Sequence, residues 1–383
     1  MSALTTLLRF RLRYLIALAA ALLFAVGSQR MTALQPQHQK GVLQTQPPTP
    51  YIHYPSTASV AQRILVIHGL DSNKEYMQIF CSALADAGFE VYAIDLPGHG
   101  DSQAGFNGIL AGDVIEQVVS LLKPDIAIGH SMGASLLIDL SHHIRFKKTV
   151  LISPGTTAVN GLTFENTLVT AETFDIPAVS WFAPRLDGAD LRQFTWGTHS
   201  SALFKPDQIR EIVSWLGGDT SRLRTDQRLR WLDVMTAAAI VLGIALLPYR
   251  PPQAAVGAAF STKDVFLWYI AAGAISVIVL RFIVPLRWIG LFAMDYMISF
   301  LFIAGIVLMA VLAAKKQVPA VTLTAVIKGV VIAALVILLA VLAGGYLTHM
   351  TLSGGRWWRF IVIAIASFPL FLFDETVTRE TEK

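Results

Sequence analysis

The chain has 383 residues, 54% of them hydrophobic and 15% charged, with 30 Lys and Arg against 26 Asp and Glu and a formal net charge of +4. Charged residues approach ~25% of an average soluble protein, so these values exclude a wholly aqueous chain and put part of it in lipid. The basic residues flank hydrophobic runs and form no stripe of the sort that tracks a phosphate backbone, which excludes nucleic acid as the expected partner.

Residues 1–30 carry Arg9, Arg11 and Arg13 ahead of an apolar run from Tyr14 to Gly27. This pattern fits a signal anchor or a signal peptide. The run is short against the ~20 residues of a spanning helix, and Ala25-Val26-Gly27 resembles a small-residue cleavage site. Residues 31–58, rich in Gln, Pro and Thr, read as an extended linker that ends in a strand near Tyr51 to Tyr54.

From Gln62 to about Leu216, short β-branched runs alternate with helical segments, the signature of a mostly parallel sheet with covering helices. The expected strands are Ile64 to Ile67, Val91 to Ile94, Ile126 to Ile128, Val150 to Ile152, Leu168 to Thr170 and Gln193 to Thr195, all short and buried. The single cysteine, Cys81, cannot close an intrachain disulfide and falls in an amphipathic helix from Met77 to Ala87, where it reads as a buried structural thiol.

A basic connector follows at 219–232, with Arg222, Arg224, Arg228 and Arg230. Five hydrophobic segments come next, at 233–249, 265–286, 289–314, 329–347 and 357–373, with a polar tail at 374–383. Most are long enough to span a bilayer. Trp231, Trp268, Trp288, Trp357 and Trp358 cluster at their ends, as anchors at the headgroup level do. Asp295 and Lys328 lie near predicted span ends, where snorkelling accounts for them. The three arginines before the first apolar run favour an inside N-terminus and leave the sheet domain outside, at a plasma (inner) membrane.

Gly129-His130-Ser131-Met132-Gly133 fits G-x-S-x-G, in which a serine sits on a sharp strand-to-helix turn with its hydroxyl exposed. The pentapeptide alone is a weak signal. Its context is stronger, because it follows the apolar run Asp125 to Ile128 and opens a helix from Ala134 to Ile144. Ser131 is therefore the candidate nucleophile, and it needs a base with an orienting acid.

Of nine histidines, His38 and His53 lie in the linker, His68 and His99 in turns after early strands, and His130 inside the serine turn. His142 and His143 are on the helix leading away from it, and His349 is in the hydrophobic part. Only His199 follows the last strand, in Trp196-Gly197-Thr198-His199-Ser200. The acid belongs between Ser131 and His199 in chain order. Asp175, just after a strand, is the first candidate and Glu172 the second; Asp187 and Asp190 sit on the following connection.

An oxyanion hole takes backbone amides. Met132, directly after the serine, offers one, and Leu70, in the turn His68-Gly69-Leu70, offers the other. His68, Gly69 and His130 are the candidate substrate contacts, with the His68 ring also placed to hold its loop. No metal-ligand cluster, phosphate loop or internal repeat is evident, and the chemistry expected of these residues needs no cofactor.

His68-Gly69, then Asp95-Leu96-Pro97-Gly98-His99-Gly100-Asp101-Ser102, then the serine pentapeptide, and then Asp175 and His199 resemble, in that order, the motifs of α/β-hydrolases. The resemblance is nearest to the monoacylglycerol lipase, lysophospholipase and small carboxylesterase branch and covers about 60–216. It implies an α/β-hydrolase domain over 59–218, a Ser-His-Asp acyl-enzyme mechanism, and an ester or related acyl substrate. Nothing in it accounts for the hydrophobic helices fused behind that domain.

Two departures stand out. Many such enzymes insert a cap before the acid's strand, whereas here only Ser153 to Thr167 intervenes, so an open site without a large cap is expected. Where they often carry glycine before the acid, this chain has Glu172 after Ala171. An apolar loop, Ile176 to Pro184, holds Trp181 and Phe182, which either face lipid or pack on the core.

The expected function is hydrolysis of lipid-like or hydrophobic esters, with membrane lipid as the surrounding partner and the oligomeric state open. Acyl transfer by the same residues and a non-catalytic transport or sensing protein with a hydrolase-like ligand domain are the competing classes.

Overall fold

The computed structural model describes residues 3–56, 61–70, 72–159, 161–246, 261–282, 292–316 and 354–381. By contacts the described residues divide into two units, one around the sheet, within Ala21–Ala239, and one of helices, drawn from the rest of the chain.

The sheet unit is built on eight strands: β1 (Gln39–Leu43), β2 (Thr49–Tyr54), β3 (Arg63–Ile67), β4 (Glu90–Ile94), β5 (Ile126–His130), β6 (Lys148–Ile152), β7 (Thr167–Phe174) and β8 (Asp190–Thr198). Their order across the sheet is β1-β2-β4-β3-β5-β6-β7-β8. The β1/β2 and β2/β4 pairs are antiparallel and the others parallel.

Period-two alternation splits the buried strand residues between two cores. Ile64, Val66, Ile126 and Ile128 face one side, against α2 (Gln78–Asp86) and α6 (Pro206–Leu216). Leu65, Ile67, Ala127 and Leu151 face the other, against α3 (Gly108–Leu122), α4 (Met132–Leu140) and α5 (Pro177–Phe182). Helices on both faces require the parallel strands to be buried on both, which is why their sequences read as continuous apolar runs. Cys81 is fully buried on α2, and burial pushes its thiol above the normal range, consistent with an inert packing role.

Two expectations need correction here. The stretch expected as a linker ends in the expected strand, β2, which alternates inward and outward side chains and pairs antiparallel with β4, but it also carries β1, which pairs with β2 at the sheet's edge. The last strand is neither short nor buried. β8 runs for nine residues as the sheet's edge, with its side chains mostly exposed.

The first helix, α1 (Ala3–Leu34), continues past Ala25-Val26-Gly27 without a break. Its C-terminal half and the start of α7 (Thr225–Leu246) belong to the sheet unit, where Phe24, Met31, Met235 and Ala238 join the first core. The joint also holds a buried charge network. Arg228, fully buried, donates to both oxygens of Asp86 (2.7 and 3.1 Å) and to the Leu34 carbonyl at the end of α1 (2.6 Å), and Arg224 donates to Asp86 at 2.7 Å.

The helical unit contains α8 (Thr262–Phe282), α9 (Phe292–Ala314) and α10 (Gly354–Thr381). Gly305 lets α9 approach α10 closely, since a Cβ there would stand 2.6 Å from the Leu370 amide nitrogen. Three stretches among the described residues are long and apolar enough to cross a membrane, Tyr14–Leu34, Lys263–Phe282 and Tyr296–Ala314, with a shorter apolar run at Ile361–Asp374.

These agree with the expected segments 265–286 and 289–314. The first span is longer than the run expected from Tyr14 to Gly27; the 233–249 segment is not among the three, and its residues 247–249 lie outside the described residues. The 329–347 segment lies outside the described residues, and the 357–373 segment falls within α10.

Candidate active site

The serine turn follows from its two glycines. Ser131 leaves β5 with φ 51° and ψ −114°, a left-handed conformation that a residue with a Cβ adopts only under constraint. A Cβ on Gly129 would lie 2.5 Å from the Ala134 nitrogen, and one on Gly133 2.5 Å from the Ile67 carbonyl. Both contacts are with backbone, so only glycine permits α4 to start this close to β3 and β5. The Ser131 amide is held by the Ile152 carbonyl at 2.9 Å.

The three residues singled out for chemistry converge at the C-terminal edge of the sheet. His199 Nε2 lies 2.8 Å from Ser131 Oγ, and His199 Nδ1 lies 2.6 Å from Asp175 Oδ1. Asp175 is buried and accepts further bonds from Ser153 Oγ (2.6 Å) and the Ile176 amide (2.8 Å). Burial pulls its carboxyl upward, but the hydrogen bonds from His199 and Ser153 outweigh that and hold it below the ordinary carboxylate range. An ionised acid on Nδ1 leaves Nε2 free to accept the serine proton.

Glu172, the second candidate for the acid, does not reach His199. It is fully buried one turn of chain earlier and pairs with Lys205 Nζ at 3.0 Å.

The expected oxyanion donors lie on either side of the serine. Met132 is the first residue of α4, whose N-terminal amides point outward with the positive end of the helix dipole. Leu70 follows Gly69, where a Cβ would stand 3.1 Å from the Ser131 Cβ. Among the described residues neither amide is spent on a hydrogen bond of the fold.

Of the three expected substrate contacts, Gly69 lies against Ser131, and the two histidines are buried. His68 is fully buried; its Nε2 accepts from the Leu96 amide (3.1 Å), which puts the proton on Nδ1 and a donor to the Gly69 carbonyl (2.7 Å). Burial pushes its pKa down to about 3, so it is a neutral loop support. His130 is buried as well and donates from Nε2 to the His199 carbonyl at 3.1 Å. Burial lowers its pKa to about 4. Its role in the fold is to hold the base's backbone.

Sequence reasoning missed Ser153 and a charge cluster under the turns. Ser153 is an inconspicuous serine at the end of β6, and only the fold brings it to Asp175. In the Asp95 to Ser102 motif, Asp95 accepts from the Lys74 amide (2.8 Å), the Asp101 amide (2.8 Å) and Lys74 Nζ (2.5 Å). The carboxylates of Glu75, Asp95 and Asp101 lie within 4.8 Å of one another, as a cation site would require, but Lys74 Nζ already occupies the space between them and pairs with all three, and Lys40 pairs with Glu75 as well.

The rim is apolar. Phe174 and Ile176, on either side of Asp175, are 59% and 46% exposed, Trp181 is 58% exposed, and Trp196 is 86% exposed with its ring 6.0 Å from that of Phe174. The expected Trp181 and Phe182 pair is split in its burial. Phe182 is buried in the core, while Trp181 lies outside it with the Arg185 guanidinium 4.0 Å over its ring.

Comparison with known proteins agrees with this architecture. The chain is similar to a CIB-like hydrolase from Thermoplasma acidophilum at 18% identity, covering 47% of this chain and 98% of that one with a TM-score of 0.41. It is similar to a bacterial membrane phospholipase A at 14% identity, covering 56% and 96% with a TM-score of 0.42. A carboxylesterase from Bacillus subtilis is 16% identical, covering 52% and 100% with a TM-score of 0.40. No curated protein matches. A sequence profile of the alpha/beta hydrolase family matches residues 64–289, more than half of the chain, and this protein belongs to that family.

Proposed function

We propose that the protein is a membrane-bound serine hydrolase of lipid-like carboxylic esters, with Ser131 as nucleophile, His199 as base and Asp175 as its orienting acid. The observation that carries this reading is the continuous hydrogen-bonded chain from Asp175 through His199 to Ser131, at 2.6 and 2.8 Å. Each link has the length a proton relay needs before substrate arrives.

Ser131 Oγ attacks the ester carbonyl as its proton passes to His199 Nε2, and the Leu70 and Met132 amides receive the oxyanion. The tetrahedral adduct collapses, the C–O bond to the alcohol breaks, and His199 returns the proton to the departing alkoxide. Water then attacks the acyl-Ser131 ester, giving its proton to His199, and the acid leaves as Ser131 is reprotonated. Asp175 keeps the imidazole in one tautomer and stabilises the imidazolium formed twice per turnover.

The hydrophobic character of the substrate is supported by the exposed rim of Phe174, Ile176, Trp181 and Trp196, which an acyl chain or a lipid surface would cover. The chain's apolar helices put such a substrate within reach. With the arginines at the N-terminus inside, the catalytic domain lies on the extracytoplasmic side of a plasma membrane.

A fluorophosphonate probe applied to membranes of cells expressing the wild type and Ser131→Ala tests the reading. Labelling of the wild type alone, with esters of hydrophobic acids accumulating only in the Ser131→Ala extract, is the expected result. A wild type that does not label would instead point to a hydrolase-like domain that only binds its ligand.

A further inference from the structure

The end of β8 is irregular where it leads to His199. In the β7/β8 register, β7 advances from Glu172 to Phe174 while β8 advances from Phe194 to Thr198, so β8 bulges outward through Thr195, Trp196 and Gly197. Trp196 takes φ 60° in that bulge, a conformation costly for so bulky a residue, and then exposes its ring. Something beneath the bulge must hold it in this shape.

That space is filled by the Glu172 carboxylate. A Cβ on Gly197 would fall 1.7 Å from Glu172 Oε2, so the carboxylate lies directly under the Gly197 backbone. Lys205 Nζ donates to Glu172 Oε2 (3.0 Å) and to the Thr195 carbonyl (2.8 Å), tying the carboxylate to the bulge itself. With its amide nitrogen turned to Glu172, Gln208 donates to Oε1 at 2.5 Å while its oxygen accepts from Thr170 Oγ1 at 2.9 Å. Both side chains of the ion pair are largely or wholly buried. Such a pair adds little net stability over apolar residues of equal volume, and what it supplies is fixed geometry.

We propose that the Glu172–Lys205 pair is a positioning element that holds the bulged end of β8 and thereby aims the His199 imidazole at Asp175 and Ser131. It works together with His130, whose ring Nε2 donates to the His199 carbonyl at 3.1 Å. Glu172 is thus the second carboxylate of the site without being the triad acid. The role rests on the serine-hydrolase reading above.

The test uses the full-length protein and a short soluble p-nitrophenyl ester, so that lipid contact plays no part. Glu172→Ala, Gly197→Ala and Lys205→Met should each lower kcat about 10²-fold with KM changed less than about 2-fold, because the base is misplaced while the acyl cleft is untouched. Lys205→Arg should recover most of the rate that Lys205→Met loses. Gly197 does not occupy the left-handed region, and the three atoms nearest to a Cβ there all belong to the Glu172 carboxyl group. Adding Gly197→Ala to Glu172→Ala should therefore cost nothing further.

Glu172→Gln, which keeps the volume, guards against a variant that does not fold, and thermal unfolding is recorded for each protein. Fully additive losses in the double variant, or a wild-type kcat in Glu172→Ala, would overturn the positioning role. Absence of Ser131-dependent labelling in the wild type would defeat the serine reading itself, so the two failures are distinguishable.

Discussion

Ser153 Oγ donates to Asp175 Oδ2 at 2.6 Å while His199 Nδ1 takes the other oxygen of the same carboxylate at the same distance. The acid is thus gripped from β6 as well as from the base, and both grips favour its ionised form. Ser153→Ala should release one of them. A hydrogen bond to a charged group contributes about 1.5–3 kcal/mol, so kcat should fall roughly 10-fold and thermal stability should drop measurably. Steady-state kinetics on a soluble ester with a melting curve beside it checks both.

Asp175 stays charged in acid because its folded pKa lies below its unfolded value. Its contribution to stability is then present above about pH 4 and is lost only as pH falls through the depressed folded value. Asp175→Asn should cost about 10⁴-fold in kcat by favouring the wrong tautomer, whereas Glu172→Gln should not approach that loss. Similar losses in the two variants would return the acid's identity to Glu172.

His68 and His130 are neutral in the folded domain, with pKa values of about 3 and about 4 against an unfolded 6.5. A depressed histidine pKa means that the unfolded chain binds more protons below pH 6.5, so stability declines as pH falls from that point. At pH 5 each should have cost about 2 kcal/mol relative to pH 7, at 1.36 kcal/mol per pH unit per proton. Melting temperature followed from pH 7 to pH 5 reads the slope. A flat profile would mean that both rings charge freely in the fold.

Asp86 neutralises Arg228, which is fully buried at the joint of α1, α2 and α7. Asp86→Ala leaves that guanidinium uncompensated and should destabilise the sheet unit by about 3–5 kcal/mol, while Asp86→Leu with Arg228→Met should regain most of the loss. Thermal unfolding of the detergent-solubilised chain distinguishes the two.

Trp181→Ser with Trp196→Ser removes the two exposed indoles of the rim and leaves the hydrogen-bonded chain intact. Activity on long-chain esters in vesicles should fall at least 10-fold, with activity on a short soluble ester unchanged. Equal loss on both substrates would assign the indoles to the fold.

Much of this molecule was legible in its residues. The apolar runs at Ile64, Val91, Ile126 and Val150 became parallel strands because burial on both faces demands continuous hydrophobicity. Ser131 was found through the strand before it and the helix after it, and His199 by elimination. The edges were harder to read. β1 hid in a Pro- and Gln-rich stretch, and exposed β8 was underestimated, because an edge strand with solvent-facing side chains carries no continuous apolar run.

What the sequence determined by itself was local: the buried central strands and the glycine-flanked serine turn, each set by the chemistry of a few neighbouring residues. Only the tertiary structure separates Asp175 from Glu172, since the sequence puts both between Ser131 and His199 and does not show which carboxylate faces the imidazole. The β7/β8 bulge turns one to His199 and buries the other beneath Gly197 with Lys205. It also brought Ser153 to the acid and Asp86 to Arg228, 142 residues apart. Such pairings depend on how strands stack side by side, and no local pattern encodes that.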